Sequence, residues 1–333
     1  MMRNPMLSRK GRALWVLAIM SPTIAELCSG SSPPFEFFIP TSFALLLGLY
    51  GAGVLIVREL SVIWRTGWIG VVVLGAAYGI LEEGVAIKSF FDPQWMDLGN
   101  LGIYGRYLDT NWVWAVWLTI YHSAISITLP ILLLSLLYPD LRSERLLTKK
   151  AFNAVLVILF IDVLVCTTLL NDYAPYAPMY LLSIVAVVGL TLYAKHIPRN
   201  FMMPSRAQPS WKPSTFFMIG FFFILFSFFM SGIFSETALP PVVPIILLLT
   251  ISFYVILLIK HGMGLTDNRA QKAYFASGIL FFFVPFGIIN EFSGYPGMSV
   301  VAVATAIFIM DLMRWSEGKR VLVYRVGSLL YGR

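Results

Sequence analysis

The chain contains ten apolar stretches that are each long enough to cross a lipid bilayer. An α-helix rises about 1.5 Å per residue, so roughly 20 apolar residues cross a hydrocarbon layer about 30 Å thick. Backbone groups in lipid must be hydrogen-bonded within the protein, and such stretches therefore fold as helices. We predict an all-α fold, a polytopic transmembrane helical bundle of about ten spans. The predicted spans are Ala13–Gly30, Ile39–Trp64, Gly67–Phe91, Asn111–Tyr138, Ala151–Leu170, Pro178–Ala194, Thr215–Phe234, Pro241–Ile259, Ala273–Asn290 and Gly294–Met313.

The distribution of charge predicts the orientation of these spans. Only 12% of the residues are charged, against about 25% in soluble domains. Most lysines and arginines fall at one end of the predicted spans, as the positive-inside rule requires when both termini are cytoplasmic. We predict a multi-pass protein of the cytoplasmic (cell) membrane. The net charge of +7 then belongs to loops at the membrane, so we expect membrane lipid as a partner and no nucleic acid.

The cysteines and histidines form no disulfide or metal-binding pattern in the sequence. Cys28 and Cys166 lie in apolar stretches. None of His122, His196 and His261 has a second ligand three or four residues further along the chain. We therefore predict no metal site and no cofactor. The sequence does not indicate an oligomeric state.

Polar residues divide the chain into unequal parts. Residues 1–195 form a predicted front half of six spans that carries most of the intramembrane charged residues. Residues 196–214 contain four prolines among basic residues and predict a cytoplasmic hinge loop. Residues 215–315 form an apolar back half of four spans. Residues 316–333 form a basic tail with interleaved apolar residues, which is typical of a segment lying along an anionic membrane surface.

Glu82 and Glu83 are adjacent within the third predicted span. An ionised carboxylate at bilayer depth costs roughly 2.5–3.5 kcal/mol, so a helix retains such a pair only where it faces protein or water. Counted along their helices, Glu26, the two glutamates and His122 all lie between the bilayer midplane and its outer third. Because sequential helices usually pack side by side, we predict that these residues share one pocket that opens outward.

We predict catalytic roles for Glu82, Glu83 and His122. A protonated and an ionised carboxylate beside an imidazole can activate water or carry a proton. Tyr78 and Ser126 lie four residues from Glu82 and His122 respectively, on the same helix faces, within hydrogen-bonding reach. The predicted binding residues are Glu26, Tyr78, Ser126 and Arg106.

These residues also have structural interpretations. The two adjacent glutamates can pair with Lys88 or Arg106, and Arg106 can form a local ion pair with the aspartates around it. Glu26 can accept hydrogen bonds from the serine-rich turn that follows it. Arg58 and Glu59 lie near the inner end of the second span, and we predict that they snorkel toward the membrane surface.

Two adjacent glutamates in one span and a histidine in the next resemble the motifs of the CAAX-processing and bacteriocin-processing glutamic intramembrane proteases. In that family a Glu-Glu-x-x-x-Arg motif supplies the carboxylate that activates water, and a Phe-x-x-x-His motif follows. Here Lys88 follows Glu82 and Glu83 one position later than the family's arginine, and Leu118 replaces the phenylalanine before His122. The resemblance spans residues 82–122 and implies a membrane-embedded hydrolase in which the glutamates activate water.

Three functions fit the sequence. We favour an intramembrane hydrolase of the protease kind, acting on a peptide or a small molecule. A proton-coupled small-molecule transporter is the first alternative, because ten spans with both termini inside is a common transporter layout; it predicts acidic residues in both halves. A non-catalytic membrane scaffold or lipid-binding protein is the second alternative, and it predicts acids locked in ion pairs.

Overall fold

The computed structural model describes residues 8–198, 211–237, 239–263 and 268–319, and these residues form a helical bundle. The result confirms the predicted all-α fold class. The α-helices of the described residues are α1 (Arg9–Pro22), α2 (Pro34–Phe37), α3 (Pro40–Leu46), α4 (Ala52–Trp64), α5 (Gly67–Ile80), α6 (Trp112–Tyr121), α7 (Leu129–Leu137), α8 (Lys149–Val165), α9 (Ala177–Ala194), α10 (Pro213–Gly232), α11 (Val242–Gly262), α12 (Arg269–Phe292) and α13 (Met298–Ser316).

Nine helical segments of the described chain are long and apolar enough to cross a membrane. The first predicted span corresponds to a further continuous helical segment, Arg9–Leu27, whose first turn carries basic residues. About ten spans therefore agrees with the structure, and we number them one to ten in chain order. The other nine are Pro40–Trp64, Gly67–Ala86, Trp112–Leu137, Lys149–Leu170, Ala177–Ala194, Pro213–Glu236, Val242–Gly262, Arg269–Phe292 and Met298–Ser316.

Each of the first five spans contains a stretch of π-helix. A π turn replaces the usual i→i+4 hydrogen bond with an i→i+5 bond, and such turns are frequent at functional sites. The N–H of Ile87 donates to the carbonyl of Glu82 at 2.8 Å with this wider spacing. The five stretches are π1 (Thr23–Leu27), π2 (Leu47–Gly51), π3 (Leu81–Ala86), π4 (His122–Thr128) and π5 (Cys166–Leu170).

The segment between spans three and four folds back onto the bundle. Strands β1 (Arg106–Tyr107) and β2 (Thr110–Asn111) pair antiparallel within it, with Arg106 opposite Asn111. A short 3₁₀-helix precedes them at Gly99–Gly102. Burial of apolar side chains holds the segment against the helices, and these side chains are Phe90, Phe91, Leu98 and Leu101.

Two apolar cores hold the spans together. One lies among spans one to five and includes Leu17, Val54 and Ile127, which are fully buried. The other connects the folded-back segment and span four to α10, α12 and α13, and it includes Phe91 and Ile279. Span four contributes to both cores and is therefore central to the bundle.

Spans five and six lie at the periphery. The α8 helix buries only Leu159 and Asp162 among its own residues, and α9 buries only Ala194. Their remaining side chains are largely apolar and accessible, which is the pattern expected of a lipid-facing surface. Asp162 is thus the one buried carboxylate that α8 turns toward the bundle.

The prediction that Arg58 and Glu59 snorkel toward the surface is wrong. Their side chains are 4% and 0% exposed and form an ion pair at 2.5 Å. The guanidinium of Arg58 also donates to the carbonyl of Leu141, and Glu59 accepts from the N–H of Leu146 and from Arg145. The loop between spans four and five covers the pair, which removes the route to water that snorkelling needs.

Two predicted regions lie largely outside the described residues. Residues 199–210 of the predicted hinge loop are not described, and neither are residues 320–333 of the predicted basic tail. The division into a six-span front half and a four-span back half therefore stays a prediction.

Candidate functional site

Three π turns bring the predicted polar residues of spans one, three and four together. Glu26 lies on π1, Glu82 and Glu83 on π3, and His122 and Ser126 on π4. The backbone of π1 contacts that of π4, and α5 packs against π4 along its length. The extra residue in each π turn changes the direction of the side chains around it, so the local hydrogen-bond pattern and the placement of the polar groups are linked.

The centre of the site is the imidazole of His122, which lies between the two adjacent carboxylates. Its Nε2 is 2.8 Å from Oε1 of Glu83, and its Nδ1 is 3.1 Å from Oε2 of Glu82. The exposed fractions of Glu82, Glu83 and His122 are 2%, 9% and 2%. The predicted catalytic residues therefore form one cluster, and this conformation closes them from bulk solvent although we predicted a pocket open to the outside.

Hydroxyl groups hold both ends of this cluster. The Nδ1 of His122 lies 3.0 Å from Oγ of Ser126, four residues further along span four, as the helical spacing predicts. The hydroxyl of Ser89 donates to the other oxygen of Glu83 and accepts from Nε1 of Trp114 at 3.1 Å. Glu83 thus has partners on both oxygens, which fixes its carboxylate toward His122.

Glu82 differs from Glu83 in its hydrogen bonding. Its Oε2 is buried and makes no hydrogen bond of good geometry with any described residue, although Nδ1 of His122 is close. The hydroxyl of Tyr78 lies beside Glu82 but likewise makes no well-aligned hydrogen bond within the described part of the chain. Glu82 is therefore the carboxylate of the cluster with an oxygen available to a further group.

Glu26 extends the site along span one. The hydroxyl of Tyr50, on π2, donates to Oε1 of Glu26 at 2.5 Å, and the hydroxyl of Ser32 donates to Oε2 at 2.8 Å. The Tyr50 ring also lies beside the His122 ring, with a centroid distance of 6.0 Å. The serine-rich turn therefore binds Glu26, as the structural interpretation of this residue expected, while Tyr50 connects Glu26 to the central cluster.

Small residues on span three allow the helices to approach each other at this point. A Cβ at Gly75 would lie 2.9 Å from the Cα of Ser123, and a Cβ at Gly79 would lie 2.9 Å from the Cβ of His122. Such contacts are the small-residue helix packing of membrane proteins. The close approach brings the carboxylates of span three within reach of the imidazole on span four.

A proline on span four contributes to the packing around His122. Pro130 has no N–H to give to the carbonyl of Ser126, four residues before it. That carbonyl accepts a hydrogen bond from the hydroxyl of Ser21 on span one, at 2.6 Å. The hydroxyl of Tyr121 makes a second connection between the same spans by donating to the carbonyl of Ala25 at 2.9 Å.

The basic residues that could have paired with the glutamates bind elsewhere. The ammonium of Lys88 donates to the backbone carbonyls of Thr167, Asn171 and Tyr173, where span five ends. The guanidinium of Arg106 donates to the carbonyl of Phe91 and to Asp109. Arg106 therefore stabilises the folded-back segment, and these hydrogen bonds do not join it to the site as a binding residue.

Sequence reasoning did not identify Tyr50 and Ser89 as site residues. Tyr50 lies in the glycine-rich run of span two, and its position between Gly48 and Gly53 was the available signal for a close helix contact. Ser89 lies at the start of the folded-back segment, six residues after Glu83. The irregular backbone that brings Ser89 back to Glu83 includes Lys88 at a positive φ of 63°, which no helical periodicity indicates.

The cluster also has the composition of a metal site. Glu82, Glu83 and His122 each offer one ligand atom, and these atoms lie within 4.8 Å of one another. The prediction of no metal site rested on the absence of two ligand residues three or four positions apart on one helix. In the structure the possible ligands lie on two helices, Glu82 and Glu83 on span three and His122 on span four.

Comparison with known sequences places the chain in a family. Residues 15–194, more than half of the chain, match an uncharacterized membrane protein family, and the chain belongs to that family. The matched region contains most of span one, all of spans two to six and every residue of the site described above. No curated protein and no solved structure matches the chain.

Proposed function

We propose that this membrane protein is an intramembrane hydrolase that uses Glu82, Glu83 and His122 to activate a water molecule. The observation that carries the proposal is the imidazole of His122 held between two buried carboxylates, 2.8 Å from one and 3.1 Å from the other. Such a group can take a proton from water and return it to a leaving group.

The hydrogen bonds suggest a separate role for each residue. Glu83 is bound on both oxygens and orients the imidazole, so we assign it as a positioning residue. Oε2 of Glu82 makes no well-aligned hydrogen bond, and Glu82 is assigned as the base that accepts the proton of the water. His122, in its protonated form, would stabilise the negative charge that develops and give its own proton to the leaving group. Glu82, 3.1 Å from Nδ1, would then return the proton of the water to the imidazole.

The substrate would enter from within the membrane. The cluster is buried, and span six, which packs against α5 and π3, is exposed to lipid along most of its length. A hydrophobic peptide segment can reach such a site without crossing water. This fits the resemblance to the CAAX-processing glutamic proteases, in which two glutamates and a histidine also act.

Two departures from that resemblance shape the proposal. The basic residue after the glutamates, Lys88, binds the end of span five instead of the site. The spacing of the family's later His-x-x-x-Asn motif occurs at His196 and Asn200, but His196 follows the end of α9 and lies outside the spans, and His261 in α11 has no asparagine four residues later. Tyr50 and Ser126 are the hydrogen-bonding groups that this chain has beside the imidazole instead.

A proton-coupled transporter is the second candidate, because of the contacts of Glu26. Its carboxylate accepts from Tyr50 and Ser32, which continue the polar cluster toward the turn after span one. A relay of this kind would carry protons. The scaffold hypothesis predicted acids locked in ion pairs, and it has less support because neither Lys88 nor Arg106 pairs with the glutamates.

The test compares cells that produce the wild-type chain with cells that produce the Glu82→Gln, Glu83→Gln or His122→Asn variant. Quantitative mass spectrometry of membrane-derived peptide termini is the measurement. We expect a set of termini that the wild type produces and that all three variants lose. The Asp162→Asn variant, which removes another intramembrane acid, should retain them.

Two results would decide against the hydrolase. Termini that are identical in wild type and variants would exclude the protease form. Proton uptake by liposomes containing the purified wild type, lost in the Tyr50→Phe and Glu26→Gln variants, would favour the transporter instead.

A further inference from the structure

We infer that Glu82, Glu83 and His122 together bind one divalent transition-metal ion. The inference deepens the proposed function. Binding of the ion follows from the ligand side chains alone, and only the role of the ion in catalysis rests on the proposed hydrolysis. The three residues offer one ligand atom each within 4.8 Å of one another, at a buried position.

A divalent cation would suit the charge balance of the site. Glu26 adds a third carboxylate beside the pair, whereas the imidazole can carry only a single positive charge. Two buried basic side chains near these spans bind elsewhere: Arg58 pairs with Glu59, and Lys88 binds backbone carbonyls. A buried carboxylate must be paired, be protonated or coordinate a metal. A divalent ion would compensate two of the three charges at once.

The hydrogen bonding of Glu82 is a second observation that favours a ligand at the site. Its Oε2 is buried without a well-aligned hydrogen bond from any described residue. Buried polar atoms in native proteins are nearly always satisfied, and the exceptions are often places where an ion or a water binds. This oxygen faces the imidazole at 3.1 Å and so belongs to the cluster.

One tautomer of His122 is suited to coordination. When Nδ1 carries the proton, Ser126 at 3.0 Å can accept it, and Nε2 then directs a lone pair at Oε1 of Glu83. Two acceptors 2.8 Å apart need either a proton or a metal ion between them. Metal-binding histidines usually donate their other ring N–H to a neighbouring acceptor, and Ser126 is placed to be that acceptor.

The ligand types indicate the class of metal. Two carboxylates and one imidazole suit zinc, manganese or iron(II), whereas calcium and magnesium prefer oxygen ligands alone. Tetrahedral ligands at about 2.1 Å from zinc are about 3.4 Å apart. The three ligand atoms here lie within 4.8 Å of one another, so side-chain adjustments would bring them around one ion. A bound ion would lower the pKa of a coordinated water, which is the reactant that the proposed hydrolysis needs. With the ion bound, Glu82 and His122 would act as its ligands, and the ion would take over the activation of water assigned to them above.

The first test is the metal content of the purified full-length chain. It is purified in detergent with a tag that contains no histidine, and metals are measured by inductively coupled plasma mass spectrometry. We expect about one equivalent of a single transition metal in the wild type and in Asp162→Asn. We expect at least a tenfold loss in Glu82→Gln, Glu83→Gln and His122→Asn.

A further variant and a spectroscopic measurement keep the test decisive if the ligand variants fail to fold. Ser89→Ala leaves all three ligands in place and removes only the hydroxyl that orients Glu83, so it should weaken metal affinity about 10–100-fold. X-ray absorption of the wild-type chain reloaded with zinc should show oxygen and nitrogen ligands without sulfur.

Three results would overturn the inference. The first is a wild type without metal that also shows no saturable zinc or manganese binding. The second is an Asp162→Asn variant that loses metal as the ligand variants do. The third is sulfur in the coordination shell. Failure of the metal proposal can be distinguished from failure of the hydrolase proposal. A metal-free chain whose products still depend on Glu82 would retain the hydrolase alone, and a stoichiometric ion without altered peptide termini would retain the metal alone.

Discussion

The Nε2 atom of His122 lies 2.8 Å from Oε1 of Glu83, and both residues lie on π turns of adjacent spans. Ser89 binds the second oxygen of Glu83 and Ser126 lies beside the second nitrogen of His122, so neither side chain can turn away without losing a partner. Glu82 shares the position along the helix but lacks this support. The difference between the two adjacent carboxylates leads to the first prediction.

Replacing the two glutamates by glutamine should have unequal effects on stability. Glu83→Gln should lower the free energy of unfolding by about 1–3 kcal/mol, because it disrupts a satisfied buried hydrogen-bond pair. Glu82→Gln should leave stability unchanged or raise it, since it removes a charge that no described hydrogen bond compensates. Thermal unfolding of chelator-treated protein measures both, so that a bound ion does not contribute. Equal losses in the two variants would contradict the assigned difference.

Glycine packing between spans three and four should be sensitive to one methyl group. In Gly75→Ala the new Cβ would lie 2.9 Å from the Cα of Ser123, a backbone atom that cannot turn aside. We expect a loss of about 1–3 kcal/mol from overpacking. Gly189→Ala on α9 is the matched control, because no atom lies within 4 Å of its new Cβ. It should be neutral or stabilising by about 0.5–1 kcal/mol, and an equal loss in both variants would exclude the packing explanation.

Lys88 should contribute to stability through the end of span five. Its ammonium lies 3.0 Å from the carbonyl of Thr167 and 2.9 Å from that of Tyr173, and it also donates to the carbonyl of Asn171. Lys88→Met should cost about 1.5–3 kcal/mol and increase hydrogen exchange after residue 166, because charge-assisted bonds to carbonyls are lost. The exposed Lys150→Met should change stability by less than about 0.5 kcal/mol. Unchanged exchange in Lys88→Met would contradict this role.

Asp162 should be dispensable. It lies against Gly48, and its buried Oδ2 has no hydrogen-bond partner among the described residues. Asp162→Leu should raise the free energy of unfolding by about 1–3 kcal/mol, since an unsatisfied buried polar group is removed. Asp162→Asn should give a smaller gain, because the amide also needs partners. Loss of the peptide products or of bound metal in either variant would show that this acid belongs to the site.

The buried pair of Arg58 and Glu59 should behave as one unit. Arg58→Met alone should cost about 3–5 kcal/mol because it leaves Glu59 buried without its counter-ion. The double variant Arg58→Met/Glu59→Leu should recover part of that loss. A double-mutant cycle in thermal or denaturant unfolding measures the coupling, and strictly additive effects would mean that the 2.5 Å contact carries no coupling energy.

Much of the fold and part of the site follow from the sequence. Apolar stretches of about twenty residues must form helices in lipid, so the all-α bundle was predictable from length and hydropathy alone. The rise per residue also placed Glu26, Glu82, Glu83 and His122 at similar depth, and the structure brings them together. The i to i+4 spacing predicted the contact of Ser126 with His122, and the structure has it at 3.0 Å.

The parts that were not predictable depend on contacts between distant segments. Periodicity assumes regular α-helix, and it therefore missed the π turns, the return of Ser89 to Glu83, and Tyr50 on Glu26. It also could not show that Lys88 binds the end of span five, 79 to 85 residues away, or that a loop covers Arg58 and Glu59. The sequence by itself predicted about how many helices are long and apolar enough to cross a membrane and how far along its helix each acid lies, because both depend on length and hydrophobicity. Only the tertiary structure decided which acidic side chains contact the imidazole of His122 and which basic side chains bind elsewhere in the bundle. The reason is that side-chain partners depend on the directions in which packed helices present them.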